Sequence, residues 1–206
     1  QELTHIKSGA VVVRAIEASD TVWLEVHTDA GVTRAEIALG SLAGFLGVAA
    51  DLQVTYSCLV GARDPLAVLD AVLQAMKATD SLDIVFHDFL VLCPSYNLLG
   101  ADRAFCNLPE PEACQRCYER LTLQDWTLPN TIADWRAAWR KALDRAETLT
   151  AYSPSSKTLI AKTWPDLAGR IEVRSHRLLQ EPAPIKAATN QPLTVGVLGN
   201  IGYSKG

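Results

Sequence analysis

Residues 53–87 limit the fold more than any other stretch. Val54, Tyr56 and Leu59 lie in a short apolar segment that reads as a strand. Asp64-Pro65 then supplies a helix cap followed by a first-turn proline. Leu66, Leu69, Val72, Leu73 and Met76 recur behind it at helical spacing. A second apolar run, Leu82-Asp83-Ile84-Val85-Phe86, ends on His87-Asp88-Phe89 and reads as a buried strand. Strand, helix and strand joined by short links form a βαβ unit, whose two strands run parallel.

The same alternation continues downstream. Thr131-Ile132-Ala133-Asp134 is a capping pattern, and Ile132, Trp135, Trp139, Leu143 and Ala146 make one helix face. On that face the two tryptophans read as core, not as a ligand platform. Thr148 to Tyr152 is the next strand. Ser153-Pro154-Ser155-Ser156 opens a helix through Leu159 and Ile160, which Pro165 ends, and Ile171 to Arg174 is a further strand reaching Ser175-His176.

Upstream, residues 10–37 read as antiparallel. Val11-Val12-Val13 is an apolar run, Val22, Leu24 and Val26 alternate with polar or aromatic neighbours, and Asp29-Ala30-Gly31 is a turn. Ser41 is read as the cap of a helix carrying Leu42, Phe45 and Leu46. Ala38 to Leu52, interrupted by Gly40, Gly44 and Gly47, reads as a soluble, buried helix. The expected class is α/β: a Rossmann-like parallel sheet flanked by helices, with an antiparallel β extension near the N-terminus.

With 206 residues, 49% of them hydrophobic, the chain can bury one sizeable core. Its net charge of -4 and the lack of any Lys/Arg block argue against a nucleic-acid partner. No apolar run reaches the roughly 18 residues of a membrane helix, and no signal-peptide pattern is evident. The first residue is Gln, so the start is read as trimmed or processed. Residues 1–180 are expected to form one domain with a Cys-rich loop at 93–117. Residues 181–192, with Glu181-Pro182-Ala183-Pro184 and Asn190-Gln191-Pro192, have linker composition. A fresh apolar strand, Leu193 to Leu198, then enters Gly199-Asn200-Ile201-Gly202-Tyr203-Ser204-Lys205-Gly206. A strand entering a Gly-rich turn opens phosphate-binding βαβ domains, so residues 193–206 are expected to begin a second domain of a longer protein.

The richest chemistry lies between Ser81 and Leu121. Cys93, Cys106, Cys114 and Cys117 have C-x12-C-x7-C-x2-C spacing. A C-x2-C pair is the usual half of a tetrahedral thiolate site, and structural zinc would staple a long, weakly apolar loop that could not hold itself. An iron–sulfur cluster and free or disulfide-bonded cysteines are the alternatives; a Cys114–Cys117 redox pair would lack a thioredoxin-like context. The lone Cys58 reads as core. His87 and Asp88 sit where open α/β sheets bind ligands, at a strand's carboxyl end. They could equally be a polar terminus that hydrogen-bonds its own loop. The Gly199–Gly206 loop offers backbone N–H groups and Lys205 to an anion. His5, His27 and His176 are scattered and read as structural or solvated. No nucleophile elbow, metalloprotease helix or Walker loop is present.

Leu82-Asp83-Ile84-Val85-Phe86-His87-Asp88-Phe89, followed by Cys93-Pro94, Cys106 and Cys114-x-x-Cys117, resembles bacterial glycosyltransferases of the two-Rossmann-domain (GT-B) type, family 4 or group 1. A subset of these carries such a cysteine loop. Ala151-Tyr152-Ser153-Pro154-Ser155 is similar to their strand that ends in a serine before a helix. Ile171 to His176 resembles the strand before their interdomain linker, and Val195 to Gly206 the opening of their C-terminal domain. The resemblance covers about residues 53 to 206. It implies transfer of a sugar from a nucleotide-sugar donor to a saccharide or lipid-linked acceptor, usually with retained configuration. It implies a cytoplasmic location, or one at the inner face of the membrane with peripheral contact. By carry-over, His87 would be catalytic, in the interdomain cleft with Asp88 and Ser153. Gly199, Asn200, Gly202 and Lys205 would lie by the donor phosphates, Lys205 offsetting charge on the leaving diphosphate. The metal at Cys93, Cys106, Cys114 and Cys117 would be structural.

The chain departs from the family in two places. Its opening strand with a small-residue loop is not evident, and Asn200 stands where many members have a basic residue. The family's acidic nucleotide-ribose motif would lie beyond residue 206, so this segment alone is expected to be inactive. The competing reading is a catalytically inactive, metal-stapled Rossmann-like interaction module. A nucleotide-binding oxidoreductase would need a G-x-G-x-x-G turn opening the first domain, and the chain has none.

Overall fold

The computed structural model describes residues 9–15, 19–49, 51–123 and 125–175. Three antiparallel strands come first: β1 (Ala10–Ala15), β2 (Thr21–Thr28) and β3 (Gly31–Ala38). Gly31 turns the β2–β3 hairpin at φ 129°, where a side chain would be strained. Alternation along β2 sends Val22 and Leu24 inward, while Trp23 is left 43% exposed on the opposite face.

A 3-10 turn (Leu39–Ser41) leads into the short helix α1 (Leu42–Leu46). Two expectations are corrected here. Ser41 makes no side-chain cap bond, because its own backbone is already helical (φ -93°, ψ -9°) and not extended as a cap requires. Ala38 to Leu52 is not one buried helix either: only five residues of it are α-helical, and Val48 is 84% exposed. Glycines at 40, 44 and 47 withhold both helix propensity and an apolar stripe.

The second sheet has four parallel strands in the order β4 (Gln53–Tyr56), β5 (Ser81–Phe86), β6 (Thr148–Ala151) and β7 (Ile171–Val173). Helix α2 (Pro65–Ala75) links β4 to β5. Two helices, α3 (Pro111–Tyr118) and α4 (Ile132–Arg145), lie between β5 and β6, and α5 (Pro154–Thr163) links β6 to β7. The α/β class read from the sequence, with its antiparallel extension, is therefore observed. Strands adjacent in space are also consecutive in sequence, so right-handed crossovers gather the helices on one face. That face is Leu82, Ile84 and Phe86 of β5 with Leu149 and Ala151 of β6, all buried. Tyr56 reaches Trp139 of α4 edge-on, with ring centroids 5.0 Å apart, and Trp135 and Trp139 are wholly buried. On the opposite face the Thr148 hydroxyl bonds the Asp83 carboxylate across the β5–β6 pair.

The caps follow the sequence. Asp64 Oδ1 accepts from the Ala67 amide at 2.8 Å, and Pro65 takes the first helical position of α2. Thr131 Oγ1 accepts from the Asp134 amide at 3.0 Å and starts α4. The expected face of α2 is met in part: Leu69 is buried, as is Met76 just past the end of the helix. Pro65, Val68, Leu69 and Ala75 are buried, while Leu66, Val72 and Leu73 are half-buried at the margins.

Asp80 is the buried acid that ties this layer together, at 8% exposure. Its Oδ1 accepts from the Leu52 amide at 3.0 Å and its Oδ2 from the Lys77 amide at 2.7 Å, joining the end of α2 to the start of β4. Those two bonds, that from Leu52 first, hold its carboxyl below the usual aspartate range. A depressed folded-state value means that folding favours the ionised form. The stabilisation is therefore complete above an ordinary aspartate pKa of about 4 and fades as pH falls through the lower folded value. Asp80→Asn should be less stable than the parent at neutral pH, and the gap should narrow in acid. Denaturant midpoints measured across that range check this, and a gap independent of pH would contradict it.

Candidate functional site

The carboxyl ends of the parallel strands bring the site residues together. Phe86 of β5 is in register with Ala151 of β6, so the residues that follow each strand emerge side by side. His87 and Tyr152 meet there, ring centroids 4.9 Å apart and planes inclined at 47°. His87 is exposed, Tyr152 and Ser153 half-buried. Tyr152 was not singled out by sequence reasoning as a site residue. The signal was present, since it is the first residue past β6, as His87 is the first past β5.

Asp88 and Ser153 lie at this edge, and both carry local duties. Asp88 Oδ1 accepts from the Leu90 amide at 2.8 Å and shapes the turn leaving β5. Ser153 Oγ accepts from the Ser156 amide at 3.1 Å and caps α5. Tyr56 closes β4 at the same end of the sheet. Burial holds its phenol well above the ordinary tyrosine range; Asp88 and Cys58 push in the same direction and the Leu59 amide opposes. His27 stands 3.6 Å from Glu25 on the antiparallel sheet, in keeping with a structural role. Gly199, Asn200, Gly202 and Lys205 lie outside the described residues. So do the expected linker at 181–192, the second-domain strand, His5 and His176.

The four cysteines of the segment after β5 line one cavity of about 20 Å³, together with Leu98 and Leu108. All four are free thiols. Cys93 follows a turn in which its amide bonds the Phe89 carbonyl at 3.1 Å. Cys106 closes a small hairpin whose amide bonds the Leu98 carbonyl at 2.9 Å. Cys114 and Cys117 are one turn apart on α3, so the expected loop at 93–117 is in part helical. Burial pushes the Cys93 thiol up to about 12 and raises that of Cys106. As the side chains stand, no group of three or more His, Cys, Asp or Glu among the described residues is arranged to hold a metal ion.

The segment is not the weakly apolar loop the sequence suggested. Leu90, Val91, Leu92, Leu98 and Leu108 are buried in the main core. Helix α4 fastens it: Trp135 Nε1 donates to the Leu90 carbonyl at 2.8 Å, and Arg136 Nε to that of Leu92 at 3.1 Å. The Tyr118 hydroxyl donates to the Pro129 carbonyl at 2.6 Å, and Gln115 Oε1 accepts from the Ile132 amide at 3.0 Å. These bonds tie α3 to the start of α4. No helix among the described residues is long and apolar enough to cross a membrane. In comparisons with known proteins, no family model, curated protein or solved structure matches this chain.

Proposed function

We propose that this chain is the acceptor-side domain of a glycosyltransferase of the two-Rossmann-domain type. It would move a sugar from a nucleotide-sugar to a saccharide or lipid-linked acceptor. One observation carries the reading: an exposed imidazole and a tyrosine ring stand 4.9 Å apart at the carboxyl ends of adjacent parallel strands. That edge is where open α/β sheets take ligands. A tyrosine face suits the apolar face of a pyranose, and an imidazole can hydrogen-bond a sugar hydroxyl or share a proton with it.

The residues divide the work as follows. His87 orients the sugar being transferred, Tyr152 flanks it, and Asp88 and Ser153 hold the two strand ends in place through their turn and cap. In the reaction, the bond between the anomeric carbon and the diphosphate oxygen breaks. A glycosidic bond to the acceptor oxygen forms, and the acceptor's proton passes to the departing nucleoside diphosphate. The Gly199–Lys205 segment, with Asn200 and Gly202, would receive that diphosphate through backbone N–H groups and the Lys205 ammonium. No divalent ion is assigned to this step.

Donor screening on the full-length protein tests the reading. It is incubated with uridine, guanosine and deoxythymidine diphosphate sugars and a glycan or lipid-linked acceptor, and nucleoside diphosphate release is followed. The expected result is acceptor-dependent release from one donor class. A folded protein that turns over none of them would favour the inactive interaction module instead.

A further inference from the structure

We propose that Cys93, Cys106, Cys114 and Cys117 form a tetrathiolate centre for a zinc-class divalent ion, with Arg136 as the cation that offsets its charge. Three local structures deliver the sulfurs to one cavity: the turn after β5, the 98–106 hairpin and helix α3. The hairpin backs directly onto the helix, since a Cβ on Gly100 would stand 3.7 Å from Cys117 Sγ.

One of the four sulfurs, that of Cys114, is met by a charged hydrogen-bond donor. An Arg136 NH2 group donates to Cys114 Sγ at 3.2 Å. A neutral thiol is a weak acceptor, so a guanidinium placed on this sulfur suits a thiolate. The backbone that follows Cys106 is left-handed. Asn107 and Leu108 lie at φ 48° and 52°, and Leu98, across the cavity, at 56°. Left-handed geometry is unfavourable for a side-chain-bearing residue. Such strain persists where the surroundings over-determine it, characteristically at functional sites.

Zinc binding by four thiols releases four protons to solvent and leaves a centre of net charge -2. Half-buried Arg136, fixed by its bond to the Leu92 carbonyl, removes part of that charge from the protein interior. Outer donors of this kind orient and tune metal ligands. Four sulfurs leave no open position on the ion, so the centre is structural. The sulfurs are not yet in coordination geometry. Closing on an ion with bonds of about 2.3 Å requires them to turn into the cavity they already line. The centre is independent of the sugar-transfer reading and would exist in an inactive module as well.

The test uses the full-length protein from zinc-replete growth. Metal analysis should find one zinc per chain, and replacement by cobalt should give the visible absorption of a tetrahedral thiolate site. Cys114→Ser should abolish that absorption. Arg136→Met should keep the stoichiometry and, in competition with a chromophoric chelator, bind zinc about 10- to 100-fold more weakly. Arg140→Met, on the same helix but paired with Asp144 and Asp166, should bind zinc as the parent does. Circular dichroism confirms that each variant folds. Zinc well below one per chain with freely titrating thiols would overturn the centre. So would iron with acid-labile sulfide, or a disulfide between any two of these cysteines. Unchanged zinc affinity in Arg136→Met would overturn the role of the arginine.

Discussion

His87→Ala should lower kcat for sugar transfer by about two to three orders of magnitude, the usual worth of one preorganised hydrogen bond to the transition state, with the fold intact. The side chain is exposed and its ring packs against Tyr152, so truncation opens no core cavity. Because the imidazole is assigned to the sugar in transit and not to the nucleotide, KM for the donor should change little. That pattern marks an interaction made mainly in the transition state. His87→Asn, which keeps a hydrogen bond but cannot carry a proton at neutral pH, separates orientation from proton transfer. Recovery of most of the lost rate would assign His87 to orientation alone. Steady-state rates with thermal denaturation as a control decide it. A His87→Ala enzyme of parental kcat would remove His87 from the mechanism.

Trp135→Ala should have the largest effect on stability. The indole is fully buried, and its N–H makes one of the two bonds that fasten the segment after β5 to α4. Loss of a buried tryptophan side chain costs about 3–5 kcal/mol through transfer and cavity terms. The stranded Leu90 carbonyl adds about 1–3 kcal/mol if water cannot reach it. Domains of this size are stable by only about 5–15 kcal/mol, so the variant should be near its unfolding threshold at 25 °C. Trp135→Phe, which keeps an aromatic ring but loses the N–H and part of the indole's volume, should cost less than Trp135→Ala. Urea midpoints at equal slope check both values. A Trp135→Phe variant as stable as the parent would mean that neither the Leu90 bond nor the lost indole volume contributes net stability.

The contrast between the two ends of the chain shows what a sequence exposes. The βαβ core was legible because its rules are local. Asp64-Pro65, Thr131 and Ser153 start helices where their side chains can accept from an amide two or three residues on. Leu82, Ile84 and Phe86, two residues apart, alternate into the core as their spacing suggests. The cysteine segment was legible in its chemistry but not in its architecture. Helix α3 has no Leu or Ile stripe, and its buried positions are Cys114 and Tyr118, so periodicity had little to register. The bonds that organise the segment cross more than forty residues, from Trp135 to Leu90 and from Arg136 to Leu92, and no window of sequence contains them. Ser41 misled because capping depends on a backbone angle that the residue type does not dictate. At the site, His87 was found from its position after β5. Tyr152 was missed because its relevance depends on β6 lying next to β5.

A structure of the full-length protein with a non-transferable nucleotide-sugar analogue bears most directly on the central claim. It should place the donor sugar over the carboxyl ends of β5 and β6, with the His87 imidazole in hydrogen-bond reach of a sugar or acceptor hydroxyl, directly or through one water. A sugar bound elsewhere, beyond the reach of His87 even through a water, would contradict it.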